Sequence, residues 1–427
     1  MIFLIRRSPA VLKGPAAAPC QGSKPSRPMP FLLYTYLACE ILAPFFASLL
    51  ILTTILFLGR LAPMFDVILD FGVNLPDFIR FCAYLLPNML LFILPMAAMI
   101  GVIIGFGRMV TDNEIIAMKA GGIGLYRMLP PVLLFAVATA GATALVSTSL
   151  IPAGNTATKQ ILFRLAKEKI DNGLKEKQFS ESLGEMVIYV DRVDPESHEL
   201  HGMYVADMRN PKTPITIIAR SGKLQAHMET MEIQLEMNDG TLHRAPDDRS
   251  QTIFFKRYHL KVPLKEPKAV QGATTGGINK GRLGQQELIA KAEQLRADSK
   301  VAASLLTEYH KRLAMPVGCF ILSLLGLPLA LFTRHGRKPL GLPLGLGFFI
   351  IYYSMLTGAT GYAENSPALI VPLLWLPNLI FATLTIYFIR QVAAEKSSPL
   401  LERAFALGDD LLAKLPRLPG PKGGESP

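Results

Sequence analysis

Six apolar runs stand out along the chain, at about 31–58, 81–107, 128–152, 313–333, 340–362 and 369–389. A helix needs roughly 20 consecutive apolar residues to cross the hydrocarbon of a bilayer, so each run predicts a transmembrane helix. The last five contain no Asp, Glu, Lys or Arg, and the first carries Glu40. Between the third and fourth runs the period changes. "EMVIYVDRV" (185–193), "LHGMYVADM" (200–208), "PITIIARSG" (214–222), "MEIQLEMNDG" (231–240) and "QTIFFKRYHLKV" (251–262) are short, partly alternating and rich in Val, Ile, Tyr and Phe. That pattern predicts strands of an all-β sandwich or jelly roll, with Asn238-Asp239-Gly240 as a hairpin turn. A Gly/Thr-rich linker (271–281) follows, and 285–312 reads as a helix leading back into the fourth run.

Composition agrees. Of 427 residues 50% are hydrophobic and 18% charged, below the ~25% charged of soluble domains. Orientation follows from Lys/Arg in short loops. The first 30 residues hold Arg6, Arg7, Lys13, Lys24 and Arg27 and no acid. Arg108, Lys119 and Arg127 follow the second run, Arg334, Arg337 and Lys338 the fourth, and Arg390, Lys396 and Arg403 the sixth. Both termini are therefore expected in the cytoplasm and the β segment on the far side. The net charge of +11 needs no nucleic acid to explain it. Cys39, Cys82 and Cys319 fall in the runs and Cys20 near the start, so no disulfide framework is expected in the β segment. Residues 1–29 read as a disordered extension, with Met29 as an alternative start.

Catalytic signatures are missing: there is no phosphate-binding G-x-x-x-x-G-K-[ST], no H-E-x-x-H, no G-x-S-x-G and no zinc-spaced Cys pair. His198 and His201 read as a solvated turn. No catalytic or metal-ligating residue is assigned. The polar stretch "TDNEIIAMKAGGIG" (111–124) is the feature that asks for an explanation. Thr111 and Glu114 fit a capping box, Asp112 and Glu114 suit the positive end of a helix dipole, and Gly121-Gly122 supplies a stop. So short a helix is marginal alone in water and needs something to lie against. Lipid headgroups and a groove on a cytoplasmic ATPase, filled by Ile115, Ile116 and Met118, both answer that need.

"LFILPMAAMIGVIIGFGRMVTDNEIIAMKAGGIGLYRM" (91–128) and "TEYHKRLAMPVGCFILSLLGLPL" (307–329) resemble the second-span, coupling-helix and fourth-span signatures of the lipopolysaccharide-export ABC permeases. The likeness extends over about 29–390, and "TDNEIIAMKAGG" is more similar to the F type than to the paralogous G type. The resemblance implies that Thr111, Asp112, Asn113, Glu114, Ile115 and Met118 dock a cytoplasmic ATPase dimer, which carries ATP and magnesium; this chain then needs no cofactor. It implies further partners: a paralogous permease subunit, a periplasmic bridge protein and lipopolysaccharide. Arg60 matches a basic position that contacts lipid phosphates in the family, although a flanking arginine that snorkels to the interface looks the same. Val187, Tyr189, Ile217, Ile233, Leu235, Ile253 and Phe255 are the expected inward residues of a lipid path through the β-domain.

The expected fold is thus an α-helical membrane protein of six transmembrane helices, three before and three after an inserted periplasmic jelly-roll-like domain. The divisions are 1–29 extension; 30–152 helices 1–3, with the coupling helix at 111–121; 153–265 β-domain; 266–312 linker and helix; 313–390 helices 4–6; and 391–427 cytoplasmic tail. The expected function is the non-catalytic permease subunit of an inner-membrane lipopolysaccharide exporter. The rival is a membrane-anchored periplasmic scaffold that moves no lipid.

Overall fold

The computed structural model describes residues 31–61, 75–173, 177–180, 186–194, 199–208, 215–227, 232–244, 251–262, 274–275, 278–295, 300–332 and 341–394. The extension at 1–29 with Met29, the loop of Arg334, Arg337 and Lys338, and the tail past 394 lie outside them.

Among the described residues, six helices are long and apolar enough to cross a membrane: Phe31–Leu61, Leu75–Thr111, Leu125–Leu165, Lys300–Leu331, Gly341–Ala363 and Pro367–Ala393. They fall on the six apolar runs. We label the helices α1 (Phe31–Leu61), α2 (Leu75–Thr111), α3 (Glu114–Ala120), α4 (Leu125–Leu145), α5 (Ile151–Gly173), α6 (Gln285–Gln294), α7 (Lys300–Leu331), α8 (Gly341–Ala363) and α9 (Ile370–Ala393). A π turn, Val146–Leu150, joins α4 to α5 without a break. The third helix therefore runs to Gly173, about 20 residues past the end expected at 152. Its polar continuation escaped a reading based on apolar runs.

The long helices α2 and α7 form the centre of the bundle, with side chains such as Met99, Val102, Leu322 and Leu325 fully buried. Leu50, Leu134 and Leu379 point outward and are exposed, the surface a bilayer would cover. Glycines let the helices pack closely within the chain. A Cβ at Gly105 would sit 2.7 Å from the Glu40 carbonyl oxygen, so α1 and α2 touch backbone to backbone there. Gly345 of α8 faces Ile103 and Met99 of α2. Pro44, Pro87 and Pro95 lie inside continuous helices.

The strands are β1 (Phe179–Ser180), β2 (Met186–Val193), β3 (Glu199–Asp207), β4 (Ile215–His227), β5 (Glu232–Arg244) and β6 (Gln251–Val262), followed by a small hairpin of β7 (Thr274–Thr275) and β8 (Ile278–Asn279). The first six form one antiparallel sheet in sequential order. That is a meander; the Greek-key order of a jelly roll is absent among the described residues. Asn238-Asp239-Gly240 is no hairpin turn. It sits inside β5, where Asn238 pairs with Ser221 and Gly240 with Ala219.

The reason is a crease that every long strand shares. Strict alternation would send successive residues to opposite faces, but each of these strands has two consecutive polar or glycine positions directed away from the core. They are Asp191-Arg192, His201-Gly202, Arg220-Ser221, Asn238-Asp239 and Lys256-Arg257. The register stacks them in one row: Arg192 opposite His201, His201 opposite Ser221, Ser221 opposite Asn238, Asn238 opposite Arg257. Gly202 (φ 64°) and Asp239 (φ 50°), next to that row, take left-handed backbone, which Gly and Asp tolerate better than most residues. The doubled position resets the phase, so apolar residues on both sides of the crease face the same interior. Ile188, Val190, Leu200, Met237 and Leu260 accordingly share one buried cluster, and Phe163 of α5 reaches into it.

Candidate functional site

At the end of α2 the chain makes its polar turn. Thr111 closes the α2 helix instead of capping the next one: its hydroxyl donates back to the Gly107 carbonyl at 3.0 Å. Asp112 and Asn113 form the turn, and Asn113 takes left-handed backbone (φ 63°) with no side-chain capping bond. The capping box expected from Thr111 and Glu114 is therefore absent. Nothing in "GRMVTDNE" signals that α2 continues through Thr111. The stop is as expected. Gly122 (φ 79°) donates to Lys119 at 2.9 Å and Ile123 to Met118 at 3.0 Å, the paired bonds of a Schellman C-cap.

Glu114 has a different partner. The Tyr36 hydroxyl of α1 lies 2.9 and 2.8 Å from its two carboxylate oxygens, which share its one proton. Beside this pair, Arg108 of α2 bridges Glu40 of α1 (3.4 Å) and Asp112 (3.7 Å). Tyr36 is the residue that sequence reasoning missed; its contact spans 78 positions and leaves no local pattern. The expected docking residues also separate. Ile115 is buried in the helical core at 5% exposure, whereas Ile116 is 53% exposed. Met118 packs partly against the core. Thr111, Asp112, Asn113, Ala117 and Lys119 are exposed.

Roughly 34 Å along α2, at 1.5 Å per residue from Thr111 back to Asn88, lies the other polar region. A cavity of about 1000 Å³ is lined by Ile55, Leu56, Leu85, Met89, Leu91 and Phe92 on its apolar side and by Arg60, Asn88, Asn155, Lys280, Glu308, Lys311 and Glu364 on its polar side. Arg60, in the last turn of α1, thus borders a real cavity. Side chains knit the polar wall. Asn88 donates to Asn155 (2.8 Å), and Asn155 to the Gly281 carbonyl (2.9 Å). Lys280 bonds to Ser304 (2.9 Å) and is paired with Glu364. The wall joins α2, α5, α7 and the end of α8 to the turn after β8. An apolar slot with one charged wall suits an amphiphile, headgroup against the charged wall and chains against the apolar side. Among the described residues no three His, Cys, Asp or Glu side chains converge as metal ligands would.

The sheet residues divide. Ile217 and Leu235 are buried in its interior, and Phe255 packs partly against it. Val187 pairs with Ala206 and Tyr189 with Tyr204, in rows that alternate with the buried Ile188 and Val190, so both lie on the outer face. Ile253 occupies an inner row, opposite Leu242, but on edge strand β6 it stays 53% exposed. Ile233 is placed in β5 opposite Ala226, with its side chain outside the described residues.

Comparison with known proteins gives these features a context. The family described as "Lipopolysaccharide export system permease LptF/LptG" matches residues 35–391. The lipopolysaccharide export system permease protein LptF of Escherichia coli K12 is 24% identical over 366 residues, 83% of this chain and 93% of its own. The protein of the same name from Shigella flexneri shows the same identity and coverage. An uncharacterized protein of Rickettsia prowazekii is 21% identical over 275 residues, 64% of this chain and 75% of its own.

Proposed function

The chain belongs to the lipopolysaccharide export system permease LptF/LptG family, and on that premise we propose that it is an F-type permease subunit of an ATP-driven lipopolysaccharide exporter in a Gram-negative inner membrane. Its six spans form a three-plus-three bundle with both termini in the cytoplasm and the folded sheet in the periplasm. ATP is hydrolysed on a separate cytoplasmic dimer, a paralogous permease completes the lipid cavity, and the sheet passes lipid to a periplasmic bridge.

The observation that carries this reading is the short α3 helix with its exposed Ile116. Ile115 anchors it in the bundle, Tyr36 holds its first residue, and Ile116 and Ala117 are exposed beside Asp112. A partner's cation can approach Asp112 and Glu114, and an apolar groove can receive Ile116. At the other end, Arg60 and Lys311 beside the apolar slot suit a lipid with an anionic headgroup.

The test is mild-detergent purification of the tagged chain from its own membranes, wild type beside Ile116→Asp, with mass analysis of co-purifying proteins. The reading requires a P-loop ATPase and a second six-span permease with the wild type, and loss of the ATPase from the variant. A chain that brings down only periplasmic proteins, in both forms, would establish the scaffold instead.

A further inference from the structure

The way α1 is attached to the bundle points to a lever. Its buried residues, Leu37, Ile41 and Phe45, all lie in its first half, and none from Phe46 to Leu61 is buried. The attachment is closest where α2 offers glycine. A Cβ at Gly101 would lie 2.8 Å from the Phe45 Cβ, and one at Gly105 2.7 Å from the Glu40 carbonyl oxygen. That carbonyl would accept the amide proton of residue 44 in an ordinary helix. Residue 44 is proline and has none to give, yet α1 runs unbroken from Phe31 to Leu61, so the helix can swing as one body about this crossing.

On one side of this crossing, Tyr36 is bonded to Glu114 at the head of α3, and Glu40 is paired with Arg108. On the other side, Ile55, Leu56, Gly59 and Arg60 form one wall of the cavity. The crossing spans Glu40 to Phe45; at 1.5 Å per residue its middle lies roughly 10 Å from Tyr36 and roughly 26 Å from Arg60. A small displacement of α3 is thereby magnified roughly two- to threefold at the wall.

We propose that Tyr36 is a positioning residue for transport: through its bond to Glu114, movement of α3 swings α1 about the Gly101–Gly105 crossing and opens or closes the cavity wall formed by residues 55–60. This rests on α3 being the seat of the ATPase. Glu114 then serves two partners at once, the phenol of its own chain and a cation of the ATPase, which a carboxylate with four lone-pair sites accommodates. The outer half of α1, which carries no buried side chain, is the part that moves.

The experiment uses the complete complex in lipid nanodiscs, with accessible native cysteines replaced by serine and spin labels at Gly59→Cys and Thr360→Cys, on α1 and α8 across the cavity. Distances are measured by pulsed electron resonance without nucleotide and with ATP plus vanadate, in this parent and in Tyr36→Phe, which removes only the hydroxyl. The lever requires that the parent shift its distance between the two states. In complexes that retain the ATPase, Tyr36→Phe should lose the shift; loss of the ATPase from Tyr36→Phe would make Tyr36 a docking residue and overturn the proposal. A shift that persists in Tyr36→Phe overturns the proposal. A parent that carries the ATPase but shows one distance in both states also overturns it, and leaves the permease reading standing. A parent that carries no ATPase removes both.

Discussion

The guanidinium of Arg312 donates to the Leu283 carbonyl oxygen at 2.7 Å, tying the centre of α7 to the turn that follows the sheet. The same side chain, 2% exposed, also donates to the Lys280 carbonyl (3.0 Å) and to Glu308 (3.1 Å). Ser147, in the π turn, donates to the Arg312 carbonyl at 3.2 Å. One buried cation therefore organises the junction between membrane helices and sheet. Arg312→Met leaves Glu308 with only the longer Lys311 contact and orphans two carbonyls, a loss of about 3–5 kcal/mol. Thermal unfolding in detergent should show a large fall in midpoint. Arg312→Lys, which keeps charge but not the forked geometry, should fall between.

Ile115 and Ile116 make opposite predictions from adjacent positions. Ile115→Ala empties a buried site and should cost about 2–5 kcal/mol of fold stability. Ile116→Asp should stay within about 0.5 kcal/mol, as exposed substitutions do, yet lose the ATPase on purification. Unfolding midpoints and co-purification together check the contrast.

In the crease of the sheet, Asp239 takes left-handed backbone (φ 50°). Asp239→Gly should leave stability unchanged or improve it. Asp239→Val places a β-branched side chain there and should cost about 1–2 kcal/mol, read as faster limited proteolysis of the sheet with the helices intact.

Deep in the bundle, Tyr352 donates to Asn378 at 2.7 Å and Asn378 donates to the Ala314 carbonyl at 3.0 Å, joining α8, α9 and α7. Asn378→Leu leaves the buried phenol without its acceptor, at a cost of about 1–2 kcal/mol, measurable as a lower unfolding midpoint. Asn378→Gln, with the same groups on a longer stem, should recover part of it.

The spans were legible because apolar runs record membrane burial directly, residue by residue. What lay beyond was written in other terms. The polar half of the third helix, past Pro152, has no long apolar run, so the sequence alone assigns it to the start of the β-domain. The crease disguised the strands: a doubled polar pair in each breaks the alternation, and Asn238-Asp239-Gly240 then imitates a turn. At α3 the Gly121-Gly122 stop was plain because glycine's backbone freedom is a local property. The bond that Thr111 makes depends on how far α2 extends, and the partner of Glu114 is a tyrosine 78 positions away. Neither is encoded locally.

The most direct test of the whole account is lipid movement itself. The complex purified from native membranes is reconstituted into proteoliposomes containing lipopolysaccharide, and transfer of that lipid to a soluble periplasmic acceptor is followed with and without ATP. Release should require ATP in the wild type and fall to background in Ile116→Asp. Release that proceeds equally without ATP, or none from an intact complex that hydrolyses it, would contradict the assignment of this chain as an ATP-driven lipopolysaccharide permease.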